Sequence, residues 1–423
     1  MITSSTQFSH SPGFIPLSRQ SGMPAMEFMR TIGERRLVVW GAGMLGRCLM
    51  RQLSAFAEHR HATCFADSNH RLIGQTIDGN KVLDPIEAIE LASQRQAFIL
   101  VALGMHNRNA LLRLSAVGLE LGADFTSHLK LSRPEAVIQV SAGNGNDSVT
   151  MPASTYLAVL YKLKSDIPDL FHIELSGWGD PLAHRDLPHI IAMTLPVVPC
   201  TVTTHLMDEQ TAIRRVLQAE PTQLVITPPH EINRPEGAEW EVFVANLEIV
   251  ADHRRQKACR TEIRFRFPRY RDNDAVARAT KKLCDKHGIR WIEAVGYIDP
   301  YDTTLDLCRS DNLAAPQAQE LAWSLEDALA VAEKDRNLPC LCQRIFPVIY
   351  PDTSVGICHL YIQPRLHPGY LSIAYGDLQD LRLSAEHCHA CQHQALHRLD
   401  IDVLQMRHKI QLVQLCPSEL PND

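Results

Sequence analysis

The chain has 423 residues, 45% hydrophobic and 21% charged, with a formal net charge of −6. That length fits two or three domains at about 150 residues each, and the composition is that of an ordinary globular protein. The negative balance and the lack of any basic run exclude a nucleic-acid partner, and no segment is long and apolar enough to span a bilayer.

Residues 1–32 begin "MITSSTQFSHSPGFIPLSRQ", polar and Ser-rich. They lack the apolar stretch of a signal peptide, so they read as a mobile leader, with the cytoplasm as the expected compartment.

Next, "RRLVVWGAGMLGRCLMRQL" is an apolar strand, Leu37 to Trp40, running into Gly41-x-Gly43-x-x-Gly46 and then a helix. This is the strand–turn–helix context that a dinucleotide fingerprint requires. Gly41 permits a tight turn, Gly43 lets backbone N–H groups approach a pyrophosphate, and Gly46 allows close helix–strand packing. A second strand, "ATCFAD", ends at Asp67, about twenty residues on, where a carboxylate can bond a ribose hydroxyl. Residues 33–131 therefore read as a Rossmann nucleotide-binding unit with Gly41, Gly43, Gly46 and Asp67 as its site. The alternative is a Rossmann-shaped module that binds nothing and serves for docking. The run "GAGMLG…CFADSNHRLIGQTIDGNKVLDP" resembles the small sugar-metabolism Rossmann domains fused to acyltransferases and methyltransferases. That resemblance implies a nucleotide-containing ligand and leaves NAD(P), a nucleotide sugar and coenzyme A open.

From Val137 to about Gly296, strands alternate with helical patterns: "AVIQVS", "FHIELS", "PCTVTTH", "QLVITPP" and "EIRFRFP" each precede an amphipathic run. Such alternation predicts a parallel sheet with crossover helices, an open or partial (β/α) barrel over residues 132–330. Chemistry in such sheets sits at the carboxyl ends of the strands. The candidate acid–base residues there are Asp180, His184, His205, His230 and Asp272. For each, the blander reading is a polar side chain that only holds its loop.

"LSGWGDPLAHRDLPHII", "VTTHLM" and "RYRDNDAVARATKKLCDKHGI" resemble radical S-adenosylmethionine (SAM) proteins that carry a C-terminal SPASM or twitch domain. The resemblance runs from about Ala136 to Leu399. It implies that Gly179 and Asp180 stand where the family's Gly-Glu-Pro stretch holds the methionine amino group. In that family the loop after the first barrel strand carries C-x3-C-x2-C, three thiolates for a 4Fe–4S cluster. Here the loop is "SAGNGNDSVTMP", with no cysteine. Asn144, Asn146, Asp147 and Ser148 offer hard oxygen donors, whereas iron–sulfur clusters need soft thiolates. Asp180 replaces a glutamate, and "TPPH" stands where the family has a Ser-rich turn. The three departures together indicate a barrel that has lost its radical chemistry or been repurposed.

Twelve cysteines are present. Cys48, Cys64, Cys200, Cys259, Cys284, Cys308 and Cys416 are scattered and read as small buried hydrophobes. The other five lie in "LPCLCQRIFPVIYPDTSVGIC" and "HCHACQHQALH": Cys340, Cys342, Cys358, Cys388 and Cys391. A hairpin brings Cys358 back toward Cys340 or Cys342, and "CHAC" supplies a C-x2-C pair. The pattern resembles a SPASM or twitch domain over residues 331–423, which implies one auxiliary 4Fe–4S cluster on Cys340, Cys358, Cys388 and Cys391, with Cys342 as the alternative to Cys340. A structural Zn(Cys)4 site suits the same ligands, and metal-free buried thiols are the third reading. His359, His387, His389 and His393 lie nearby as replacement ligands or as surface histidines.

The expected fold class is therefore α/β: a Rossmann unit, a partial (β/α) barrel of radical-SAM type, and a small Cys-rich α+β metal-binding domain. The expected function is a radical-SAM/SPASM-like iron–sulfur protein without the cluster motif, a pseudoenzyme or repurposed protein in polysaccharide or natural-product modification. It would bind a small or nucleotide-containing ligand or a protein partner. The alternatives are an active enzyme using NAD or intact SAM, and a radical SAM enzyme with nonstandard cluster ligation.

Overall fold

The computed structural model describes residues 23–398 apart from 55, 57–62, 104–106, 129–130, 132–133, 143–148, 177–178, 230–234, 257–258, 296–300, 311–320, 322–324, 334–335, 338–339, 341–347, 359–360 and 362–364. Helix α1 (Ala25–Ile32) buries Ala25, Phe28, Met29 and Ile32, the i, i+3, i+4, i+7 stripe of an amphipathic helix. Phe28 meets Phe98 edge-on at 5.6 Å. The expected leader is corrected here: its last eight residues form a packed helix, because their apolar stripe finds the first sheet.

The first unit runs β1 (Arg36–Trp40), α2 (Met44–Ser54), β2 (Thr63–Ala66), the antiparallel pair β3 (Thr76–Ile77) and β4 (Asn80–Leu83), α3 (Pro85–Ser93), β5 (Ala97–Val101), α4 (Asn107–Ala116) and β6 (Phe125–Ser127). Its sheet order is β3-β4-β2-β1-β5-β6, parallel apart from β3. Leu37 and Val39 pack on one face and Val38 and Trp40 on the other, as a sheet covered on both sides demands. The chain order reverses beside β1, and the glycine loop lies at that switch point.

The second unit opens with β7 (Glu135–Ile138) and the short hairpin β8 (Ser141–Ala142) and β9 (Val149–Thr150). Strand–helix pairs follow: α5 (Ala153–Asp166), β10 (His172–Leu175), α6 (Leu187–Thr194), β11 (Cys200–Thr204), α7 (Gln210–Gln218), β12 (Gln223–Ile226), α8 (Ala238–Arg255), β13 (Glu262–Arg269), α9 (Asp274–His287) and β14 (Arg290–Val295). The six long strands pair in chain order and all in parallel, giving the expected partial barrel. Ile138, Ile173, Leu175, Val202, Ile226, Phe265 and Phe267 belong to the core beneath the helices. With side chains alternating along each strand, Glu174, Thr203, Val225, Arg264 and Arg266 face the opposite, concave side.

The third unit comprises α10 (Tyr301–Arg309), α11 (Leu325–Ala332), β15 (Val355–Gly356), β16 (Arg365–His367), α12 (Tyr375–Leu383) and α13 (Glu386–His393). Leu305, Leu325, Ala328 and Ala332 share one core with Ile357, Cys358, Tyr361, Cys391 and Leu396. Helices α10 and α11 thus pack with the cysteine lobe, and the expected boundary after residue 330 falls inside α11. Past β14 these helices have no barrel strand to cover, so their apolar faces close on the lobe. Ile349 bonds to both sides of the β7 edge, accepting from Gln139 N at 2.8 Å and donating to Val137 O at 3.0 Å. That contact covers an otherwise open sheet edge. The Tyr370 hydroxyl donates to Asp166 Oδ2 at 2.6 Å and ties the lobe to α5. Among the described residues no helix is long and apolar enough to cross a membrane.

Candidate functional site

The barrel mouth is built by the turns that follow β10 and β11. A Cβ at Gly179 would stand 2.8 Å from the Ser141 carbonyl oxygen and 3.1 Å from Ala142 Cα. Only glycine lets the β8 backbone lie across this turn. Asp180 Oδ1 accepts from Leu182 N at 2.9 Å, capping a short 3-10 turn, Pro181–Ala183. Its Oδ2 accepts from Thr204 Oγ1 and from the His205 backbone N–H, both at 2.8 Å. Burial lifts the Asp180 pKa above the ordinary carboxylate value, and these three donors oppose it. The carboxylate is a brace between two strand ends, and most of its accepting capacity is taken by the protein itself.

The other candidates separate clearly. His184 is buried; its Nε2 donates to Met151 O at 2.7 Å and its Nδ1 accepts from Asp186 N at 3.0 Å. Both ring nitrogens are held by backbone groups, so the ring is locked in place. His205 is exposed and Nδ1 donates to Thr227 O at 3.0 Å, which fixes the proton on Nδ1. Asp272 is exposed in the turn after β13. His230 lies outside the described residues, as do Asn144, Asn146, Asp147 and Ser148. Sequence reading missed Asn246 on α8, whose amide donates to Leu206 O and Asp208 O at 2.9 and 3.0 Å. It holds the turn in which Leu206 takes a left-handed φ of 61°, a conformation that L-residues adopt only when held there.

Cys200 and Cys64 stand away from the barrel mouth. Cys200 begins β11, at the opposite end of the strand from Thr204, and burial pushes its thiol up to about 12. Cys64 sits inside the first unit, where burial pushes its thiol up to about 11. The segment between β8 and β9 and the turns after β10 and β11 contain no cysteine, so a barrel-mouth iron–sulfur cluster does not fit the donors these turns supply.

On the concave face, Thr203 Oγ1 donates to Glu174 Oε1 at 2.9 Å, and Arg264 Nε pairs with Glu262 Oε1 at 2.7 Å. Arg266 is exposed although β12 and β14 flank its strand, so the concave side is open there. Near the floor, His172 Nε2 and Thr201 Oγ1 stand 2.9 Å apart, and Thr201 donates onward to Gln223 Oε1 at 3.4 Å. Thr201 therefore accepts the His172 proton. Burial, opposed by the charge of Glu174, holds His172 down to about 4.

In the C-terminal lobe, Cys340, Cys388 and Cys391 interact electrostatically with one another, and Cys358 acts on Cys391. Tyr361 lies beside Cys358, Cys388 and Cys391. Burial pushes Cys388 up to about 11 and Cys391 well above the ordinary thiol value. No three His, Cys, Asp or Glu side chains among the described residues close into a metal-holding group. As residue types, Cys340, Cys358, Cys388 and Cys391 are the soft donors that iron and zinc take. Cys342 and His359 lie outside the described residues.

In the first unit, Gly41 has φ 118°, and a Cβ there would stand 2.7 Å from Ala102 O. A Cβ at Gly46 would come within 1.7 Å of the Gly41 carbonyl oxygen, whereas at Gly43 it would meet nothing within 4 Å. Asp67 turns into the glycine loop: Oδ2 accepts from Ala42 N at 2.8 Å and Oδ1 from Asn69 N at 2.9 Å.

No protein-family profile and no curated protein sequence matches the chain. Among solved structures, BtrN in complex with AdoMet and 2-DOIA aligns with TM-score 0.33 and 10% identity over 64% of this chain and 88% of that one. An open conformation of BtrN aligns with TM-score 0.31 and 10% identity over 64% of this chain and 86% of that one. TYW1 with a lysine-pyruvate adduct aligns with TM-score 0.28 and 13% identity over 49% of this chain and 72% of that one.

Proposed function

We propose that the chain is a radical-SAM-like protein that no longer cleaves S-adenosylmethionine and that keeps a thiolate-held metal in its C-terminal lobe. The observation that supports this most directly is the donor set at the barrel mouth. The loop between β8 and β9 has no cysteine, and the acidic residue expected to hold a methionine amino group, Asp180, already accepts three protein donors. Neither the cluster nor the SAM amino group finds the partners that reductive cleavage needs.

The lobe is the metal-holding part of the proposal. Cys340, Cys358, Cys388 and Cys391 would hold an auxiliary 4Fe–4S cluster, with zinc as the alternative for the same thiolates. Such a metal adds folding free energy to a small core. The open concave face, with Glu174, Thr203 and Arg266, suits a small polar ligand. By analogy of fold alone, the resemblance of the first unit to sugar-metabolism Rossmann domains supports a proposed role in polysaccharide or natural-product modification.

A second reading, an enzyme working without radical chemistry, has one observation in its favour. The fixed Nδ1 proton of His205 leaves Nε2 as a proton acceptor at the mouth.

The test is anaerobic purification with iron, sulfide and zinc counted against protein, followed by incubation with SAM and a reductant. The proposal expects about four irons per chain and no 5′-deoxyadenosine. About eight irons, or 5′-deoxyadenosine formation by the wild type, would overturn it, and its persistence when all five tail cysteines are replaced would put the cleavage at the barrel mouth.

A further inference from the structure

The glycine loop of the first unit meets the barrel through Glu262. The Met44 N–H at the start of α2 donates to Glu262 Oε2 at 3.0 Å. Glu262 is the first residue of β13, on the barrel floor. Its other oxygen is gripped by Arg264, with Nε and Nη2 each at 2.7 Å from Oε1, which aims Oε2 at the helix terminus. The Ala42 N–H is taken by Asp67 Oδ2 at 2.8 Å. Two backbone donors that a dinucleotide pyrophosphate would use are therefore each bonded to a carboxylate of the chain.

The rest of α2 is fastened to the same floor. Arg47 Nη1 donates to Arg260 O at 2.9 Å, and its Nε pairs with Asp78 at 2.8 Å. Arg51 donates to Leu195 O at 3.1 Å and also to Pro196 O. Gln52 donates to Asp169 O at 3.0 Å. Phe171, just before β10, joins the apolar core of the first unit. Arg260, Leu195, Pro196, Asp169 and Phe171 all precede barrel strands. These contacts lie at the amino ends of the barrel strands, the side that serves stability in β/α barrels. A nucleotide in this crevice would have to displace Glu262, and it would sit on the opposite side of the barrel from Asp180 and His205.

We propose that Glu262 is the resident anion of the glycine-rich loop, so that the first unit is a fixed dock for the barrel floor and not a nucleotide-binding module. The helix N-terminus still does what it does in nucleotide-binding folds, attracting a negative charge. Here that charge comes from the neighbouring domain and supplies orientation between the two. This inference stands apart from the proposal about the barrel mouth and the tail metal, and either can fail alone.

The experiment uses the full chain, read by thermal unfolding and by calorimetric titration with NAD+, ADP and UDP-glucose. The wild type is expected to show no saturable binding of any of the three. Glu262→Ala is expected to lower Tm, and inorganic phosphate at matched ionic strength is expected to restore part of that loss while leaving the wild type unmoved. Glu262→Gln, which keeps an uncharged acceptor, should fall between the two. Saturable binding of any of the three by the wild type would overturn the proposal. So would a Glu262→Ala protein with unchanged Tm, or phosphate raising Tm equally in both. If Glu262→Ala does not fold, the wild-type titrations and the phosphate response of Glu262→Gln decide.

Discussion

Thr204 Oγ1 donates to Asp180 Oδ2 at 2.8 Å and accepts the Leu206 N–H at 2.9 Å. One hydroxyl thus joins the turn after β10 to the strained turn after β11. Removing the carboxylate would leave the Leu182 and His205 N–H groups and the Thr204 hydroxyl without their acceptor. Asp180→Ala is expected to cost about 2–4 kcal/mol, combining a lost cap with orphaned buried donors. Asp180→Glu, although it restores the residue type of the resembled family, moves the oxygens by one methylene and should cost about 1–2 kcal/mol. Urea midpoints of the two variants check this. A stable, unchanged Asp180→Ala protein would show that the carboxylate is kept for a ligand and not for the turn.

The three glycines of the first loop should behave differently from one another. A Cβ at position 46 would overlap the Gly41 carbonyl oxygen at 1.7 Å, and both atoms belong to backbone. Gly46→Ala is therefore expected to lose about 3 kcal/mol or more. Gly43→Ala meets nothing within 4 Å and should stay within about 1 kcal/mol of wild type, the modest cost of alanine at a helix start. A dinucleotide-binding loop would need both glycines. Thermal unfolding of the pair distinguishes a loop built for packing from one built for a ligand.

The contrast between these glycines marks what sequence could and could not reveal. Gly41 in its tight turn and Gly46 under its close helix meet local requirements that a strand–glycine–helix pattern carries. The alternation of strands and helices likewise foretold the parallel sheet in chain order, since a hydrophobic period of two is visible along "HIEL" and "EIRFRF". The partner of Met44 was invisible: Glu262 is 218 residues away, and its role depends on how two domains meet. The leader was misread because only "MEFMRTI" of its length is amphipathic, and a single helix has no surface to pack on until the sheet exists. Asp180 was found as a position, but its commitment to Thr204 and His205 depends on a neighbouring turn.

His172 should make the fold sensitive to mild acid. The imidazole is buried and held down to about 4, by desolvation first, with Glu174 opposing. In the unfolded chain it titrates near its ordinary value of about 6.5. Between these values the unfolded state binds the extra proton, so stability rises with pH across this window. The contribution is fully present above about 6.5 and is lost as pH falls toward 4, by on the order of 3 kcal/mol. Urea midpoints measured from pH 7 to 4.5 should fall more steeply for the wild type than for His172→Gln. Parallel slopes would place the acid sensitivity elsewhere.

The cysteine lobe offers the sharpest contrast among thiols in one small core. Cys358 and Cys391 belong to the interacting set around Tyr361, whereas Cys308 packs against the same apolar cluster and burial alone pushes its thiol up to about 11. If thiolates of the set hold iron, Cys391→Ser and Cys358→Ser should drop iron to below about one atom per chain and abolish absorption near ~400 nm. Cys308→Ser should keep both. Because a bound metal stabilises the native state by mass action, exhaustive chelation of the wild type should lower its Tm toward that of Cys391→Ser. Chelation should leave Cys391→Ser itself unmoved. Zinc in place of iron would give the same pattern of variants without colour. Equal metal content in all three variants would remove the lobe as the metal site.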